Sequence, residues 1–162
     1  MDTPPSFISR FPRAKSALRA LLAACSLFAL AAFAHAQATP KETFEAFKKA
    51  FAARDGAAAT ALMKASDADK EGLTKALPTL PEDGLKEITS AVLADLKIEG
   101  DAAIGIVLTM SKEGEKKYDD QLFVKEGGKW FITDSVTSEE TKKALREWFD
   151  SRVKELEAAD KK

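Results

Sequence analysis

The chain has 162 residues, 45% hydrophobic and 31% charged, with a formal net charge of −1. That is room for one ordinary soluble domain rather than two, and it is not the composition of a disordered tail. The charge is uneven: residues 1–36 hold Arg10, Arg13, Lys15 and Arg19 against Asp2, leaving 21 of the 25 basic and 25 of the 26 acidic groups to the remainder. A remainder near −4 with no basic stripe gives phosphate backbones nothing to hold, so nucleic acid is excluded as a partner.

Residues 1–36 carry the three parts of a cleavable signal peptide in the required order: a basic region ending at Arg19, the small and apolar run 20–34, and Ala34-His35-Ala36 as a peptidase site. The run is about 15 residues, short of the ~20 that a permanent span needs. Cleavage between Ala36 and Gln37 is expected, with export to a periplasmic or extracellular space. The alternative is a membrane-anchored lipoprotein, because Leu22-Ala23-Ala24-Cys25 matches a lipobox. Against it, the apolar run continues nine residues past Cys25 instead of ending there. The single Cys25 and the single His35 both fall in the segment to be removed. The mature chain therefore has no disulfide, thiolate nucleophile, Cys/His zinc site or histidine triad.

From Pro40 the period is helical: Phe44, Phe47, Ala50 and Phe51 make one apolar stripe. Thr39 caps it, with Pro40 at the first position and Glu42 completing a capping box. Arg54-Asp55-Gly56 ends this helix, and the alanine-rich 57–63 starts a short second one. Ser66-Asp67-Ala68-Asp69 caps a third, with Leu73 and Leu77 one turn apart. After Pro78 and Pro81, Leu85, Ile88 and Val92 predict a helix reaching about Ala91, which gives way to strand somewhere in 92–97.

From Leu96 the period becomes two. Ile104, Ile106, Leu108 and Met110 alternate with Ala103, Gly105, Val107 and Thr109. The runs 118–125 and 129–134 follow, joined by Gly127-Gly128, which supplies the positive φ angles of a tight hairpin. The expectation is an antiparallel meander of about four strands, with Phe123 and Phe131 on one face and Leu122, Val124, Trp130 and Ile132 on the other. Thr137-Ser138-Glu139-Glu140 caps a last helix whose stripe is Leu145, Trp148, Phe149, Val153 and Leu156. Neither sheet face is polar, so this helix is expected to fold back over the second face, or to do so across a homodimer.

The opening Thr43-Phe44-Glu45-Ala46-Phe47 helix closed by Ala53-Arg54-Asp55-Gly56, together with the strand Gly128-Lys129-Trp130-Phe131-Ile132, resembles the nuclear-transport-factor-two-like superfamily of cone-shaped α+β domains. The likeness is to its small secreted and lipoprotein bacterial members and spans about residues 40–135. It implies an α+β fold with amino-terminal helices packed on the meander, and Trp130 beneath them, met by Phe47 and Phe51. The carboxy-terminal helix is an addition to the pattern. The domain organisation is then 1–36 as signal peptide, 37–137 as the cone-like domain, and 138–162 as an amphipathic helix of the same domain.

Enzymatic members of that superfamily place a carboxylate base with a Tyr or His partner in the cone. Tyr118, Asp119, Asp120 and Asp134 are the local candidates, and Tyr118 and Asp120 share a strand face. The competing reading makes Lys116-Lys117-Tyr118-Asp119-Asp120 the solvated start of an edge strand. Asp67, Asp69 and Glu71 lack the glycine and distal glutamate of a calcium loop and read as helix capping. Trp130, Trp148, Phe123 and Phe131 have core periodicity. No cofactor or metal is implied. The reading is a non-catalytic binding module of the cell envelope, with a small molecule or envelope protein as partner. A small cofactor-free lyase or isomerase using a cavity carboxylate is the alternative.

Overall fold

The computed structural model describes residues 37–111 and 114–161. The leader, Cys25 and the Ala36 side of the cleavage site lie outside the described residues. Helix α1, Pro40–Ala52, starts at Thr39, whose Oγ1 accepts from the Glu42 N–H at 3.2 Å. The box expected there is not closed in the usual way: the Thr39 hydroxyl donates to the Glu42 carboxylate at 3.1 Å, so that carboxylate meets the cap's side chain instead of its backbone. The helix ends in a Schellman arrangement, with Asp55 N–H on the Ala50 carbonyl and Arg54 N–H on the Phe51 carbonyl, both at 2.9 Å. The left-handed residue is Arg54, with φ 55°, and not Gly56.

Gly56 opens the next helix, α2, Gly56–Ala61, which Asp55 caps through the Ala58 N–H at 2.9 Å. Leu62 and the two-residue strand β1, Met63–Lys64, follow. Ser66 caps α3, Asp67–Ala76, by accepting from Asp69 N–H. A 3-10 turn at Leu77–Thr79 leads to α4, Glu82–Ser90. Strands β2, Val92–Glu99, β3, Ala102–Met110, β4, Lys116–Glu126, and β5, Lys129–Thr133, form the meander, and Ser138 caps the last helix α5, Glu139–Asp160. The helix-to-strand change falls at Ala91, earlier than the alternation reveals, because a bulge at Leu93/Asp95 breaks the period of β2.

The class is α+β, as expected, with one strand more than the meander supplies. Sheet order is β1-β5-β4-β3-β2, antiparallel except for β1, which pairs parallel to β5 through Met63 and Ile132. The β4–β5 turn is Gly127-Gly128 with φ 57° and 79°, the two positive angles of a type I′ hairpin. That turn pairs Glu126 with Lys129 and Phe123 with Ile132. Phe123 therefore shares a face with Trp130 and Ile132 and not with Phe131, which corrects the expected grouping.

On one face of the sheet Phe44 of α1 packs with Ala91, Ala103, Val107, Phe123, Trp130 and Ile132. On the other, Leu145 and Phe149 of α5 pack with Ala102, Ile104, Ile106 and Val136. The second apolar face is thus covered from within the chain. Phe51 does not reach Trp130. It faces Ala50, Ala59 and Leu77 in a third cluster that joins the helices to one another.

Candidate binding pocket

Strand β5 stops at Thr133, whereas β4 continues back to Lys116, so among the described residues Gln121 and those before it have no strand partner on the β5 side. Where the sheet narrows, Phe47 of α1 and Met63 of β1 stand beside Leu122 and Ile132. They enclose an open cavity of about 350 Å³. Gln121, Thr133, Asp120 and Asp134 complete its wall. Apolar and polar residues line it in equal number, and because Leu122 and Ile132 belong to opposite faces of the sheet it wraps the open edge; its volume is at the lower end of the range for small-molecule sites. Thr133 holds the rim: its hydroxyl donates to the Ser135 carbonyl at 3.1 Å and accepts from the Ser135 N–H at 3.3 Å, which leaves Asp134 facing solvent.

The structure brings Asp120 and Asp134 to one cavity and leaves Tyr118 outside it. The Asp120 carboxylate accepts from Arg146 of α5 at 2.9 Å. Tyr118 lies on the α5 side of the sheet, where its hydroxyl donates to Asp160 at 2.7 Å. That hydrogen bond, followed by burial, raises the Tyr118 pKa, and the hydroxyl stays protonated. Lys116 binds the same carboxylate, and the hydrogen bonds from Lys116 and Tyr118 hold Asp160 below the ordinary aspartate range. Tyr118 and Asp120 do share a strand face, as the alternation implies, and α5 engages both. Asp119 pairs with Lys117 at 3.0 Å.

The other sequence candidates resolve locally. Asp69 belongs to the α3 cap, Glu71 pairs with Lys75, and among the described residues no group of three His, Cys, Asp or Glu could hold a metal ion. Phe123 and Trp130 are core, and Phe131 is half-buried under the Lys64 ammonium, 4.8 Å from its ring centre. Trp148 is half-buried and borders a second hollow with Asp95 and Arg152. Sequence reasoning missed Met63 and the pocket role of Phe47. Both look like ordinary helix and loop residues until β1 is paired to β5.

No family model matches the chain. No curated protein matches it either. The chain is similar to a solved structure from Campylobacter jejuni described as an NTF2-like transpeptidase, at 16% identity over 60% of this chain and 99% of that one, with a TM-score of 0.40. No described helix is long and apolar enough to cross a membrane.

Proposed function

We propose that the chain is an exported, non-catalytic binding module of the cell envelope, taking a small, mainly apolar molecule into the pocket between α1 and the end of β5. One observation carries this reading: an open cavity lies beside Phe47, Met63, Leu122 and Ile132, while Tyr118 and Asp120 are engaged by Asp160 and Arg146. A proton-transfer site needs a base and an acid that both face the substrate, and here the Tyr and the Asp are each tied to α5. Cleavage after Ala36 and release to the periplasm or the outside belong to the same proposal, as does membership of the small exported cone-like proteins. The burial of Trp130 against Phe44 of the opening helix supports that membership. The alternative, a small lyase or isomerase, rests on Asp134, the pocket carboxylate that faces solvent.

Titration of purified residues 37–162 with an apolar naphthyl dye tests the reading. Saturable fluorescence enhancement is expected, lost in Met63→Trp, which fills the pocket, and retained in Tyr118→Phe. Equal enhancement in Met63→Trp places the dye elsewhere and overturns the pocket. Turnover of an enolisable ketone that disappears in Asp134→Asn would favour the alternative.

A further inference from the structure

Strand β4 has an edge that no other described strand uses. Its pairing with β5 ends at Leu122 and Thr133, while its pairing with β3 runs on without a bulge from Val124 to Lys116. The direction of the free backbone groups follows from the hairpin. Across the two-residue Gly127-Gly128 turn, Glu126 and Lys129 exchange both of their backbone hydrogen bonds, so even-numbered residues of β4 turn their N–H and C=O groups toward β5. Lys125 agrees, since its N–H points the other way, to the Asp101 carbonyl at 2.7 Å. Beyond the end of β5 the same groups of Lys116, Tyr118 and Asp120 therefore point outward, and among the described residues no strand takes them. The far edge of the sheet, β2, is less fit for pairing because the bulge at Leu93/Asp95 breaks it.

The side chains along the open edge decide what fits it. In order they are Lys116, Lys117, Tyr118, Asp119 and Asp120, two cations and two anions about a neutral centre. We infer that this edge pairs with the same edge of a second copy, antiparallel about a twofold axis at Tyr118. Lys116 then lies opposite the partner's Asp120 on the α5 face, and Lys117 opposite the partner's Asp119 on the other face. Symmetry repeats both pairs. Tyr118 meets the partner's Tyr118, and the outward N–H and C=O groups of Lys116, Tyr118 and Asp120 are satisfied across the axis. Lys117 and Asp119 already pair within the chain at 3.0 Å, so with their copies they make a square of alternating charge. Lys116 and Asp120 each gain a second opposite charge beside Asp160 and Arg146. Charge disfavours the neighbouring registers: an axis at Lys117 or at Asp119 sets that residue against its own copy, and parallel in-register pairing does so at every charged position. A charged edge repels foreign strands, and this order of charges admits its own copy. The contact does not depend on what the cavity beside Gln121 holds.

The test is sedimentation equilibrium of residues 37–162, which lie within one compact unit beginning at Ala36, from micromolar to near-millimolar protein. The weight-average mass is expected to climb from one chain to two and to stop there. Lys117→Asp and Asp119→Lys each set like charges opposite one another and should weaken the dimer about tenfold or more. Both side chains stand largely in solvent, so the variants keep their fold. Mixing the two variants should restore the dimer, because each strand then carries the charges that the other lacks. Amide exchange at Tyr118 should slow as the parent dimer forms. A single-chain mass at every concentration overturns the inference, and so does growth past two chains. A dimer that both variants keep at full strength places the contact on another surface and overturns it as well. Failure of the mixture to associate, or unchanged exchange at Tyr118, overturns the pairing about that residue.

Discussion

Arg54 donates through Nη1 to the Leu80 carbonyl at 2.7 Å, across 26 positions of sequence, from a backbone that stands at φ 55°. The same nitrogen reaches the Leu77 and Pro78 carbonyls at 3.3 and 3.2 Å, and Nη2 pairs with Glu82 at 2.7 Å. One side chain therefore ties the end of α1 to the 3-10 turn and to the start of α4. The left-handed position would ordinarily be glycine. Arg54→Ala should cost about 1.5–3 kcal/mol, the range for hydrogen bonds to a charged donor. Arg54→Gly loses the same bonds but relieves the backbone and should be the milder by about 1 kcal/mol. Denaturant titration of the two variants checks both the size and the order.

Gly56 and Gly72 are both helical but should respond in opposite directions to alanine. A Cβ on Gly56 would lie 2.6 Å from Thr74 Cα, so α2 and α3 touch backbone to backbone there. Around Gly72 nothing beyond the helix's own neighbouring backbone lies within 4 Å of such a Cβ. Gly56→Ala is expected to destabilise by about 1–3 kcal/mol through overpacking. Gly72→Ala should stabilise by about 0.5–1 kcal/mol through helix propensity. Equal effects in thermal unfolding would mean that the α2–α3 contact yields easily.

Trp130 is 4% exposed, within the core on the face that α1 covers. Trp130→Ala should cost about 3–5 kcal/mol, and a loss below ~1 kcal/mol in urea titration would contradict its burial.

The contact between α5 and β2 should weaken in acid. Burial alone would raise the pKa of Asp95, but the Arg152 hydrogen bond at 2.6 Å, the Leu96 N–H and the Arg152 charge together outweigh it and hold the carboxyl below its ordinary value. A carboxyl with a depressed folded pKa stabilises above its unfolded pKa, near pH 4, and that stability is lost as pH falls through the folded value. Asp160, lowered by Lys116 and Tyr118, acts with the same sign. The melting temperature should therefore drop below about pH 4 more steeply in the parent than in Asp95→Asn. Parallel curves would show that the pair contributes nothing to folding.

Deleting residues 138–162 removes Leu145 and Phe149 from above Ala102, Ile104 and Ile106. The uncovered face should drive association at micromolar concentration, read by light scattering after gel filtration. A monomer with an unchanged melting temperature would show that α5 contributes nothing to covering it.

Local signals could be read along the chain wherever their cause was local. Thr39, Ser66 and Ser138 cap helices because their hydroxyls reach an N–H three residues on. Gly127-Gly128 makes the hairpin because both positions need positive φ. The α5 stripe announced a surface to be covered, since Leu145 and Phe149 recur on one helical face. Alternation within a strand says which residues share a face, but it does not set the phase between strands. The two-residue turn sets that phase by pairing Phe123 with Ile132, so Phe123 and Trp130 came to the same side.

The rest depended on partners distant in sequence. Met63 and Lys64 are too few to show a period, and they become a strand only because β5 offers its edge. Arg54 tolerates a left-handed backbone because acceptors more than twenty residues away hold its guanidinium. The candidate catalytic residues were legible as residue types and as a shared strand face for Tyr118 and Asp120. Their fate was not, because Arg146 and Asp160 reach them only once α5 lies across the sheet. The pocket has the same origin: β5 ends before β4 does, and the space this leaves beside Phe47 and Met63 belongs to the assembled layers rather than to any segment of the chain.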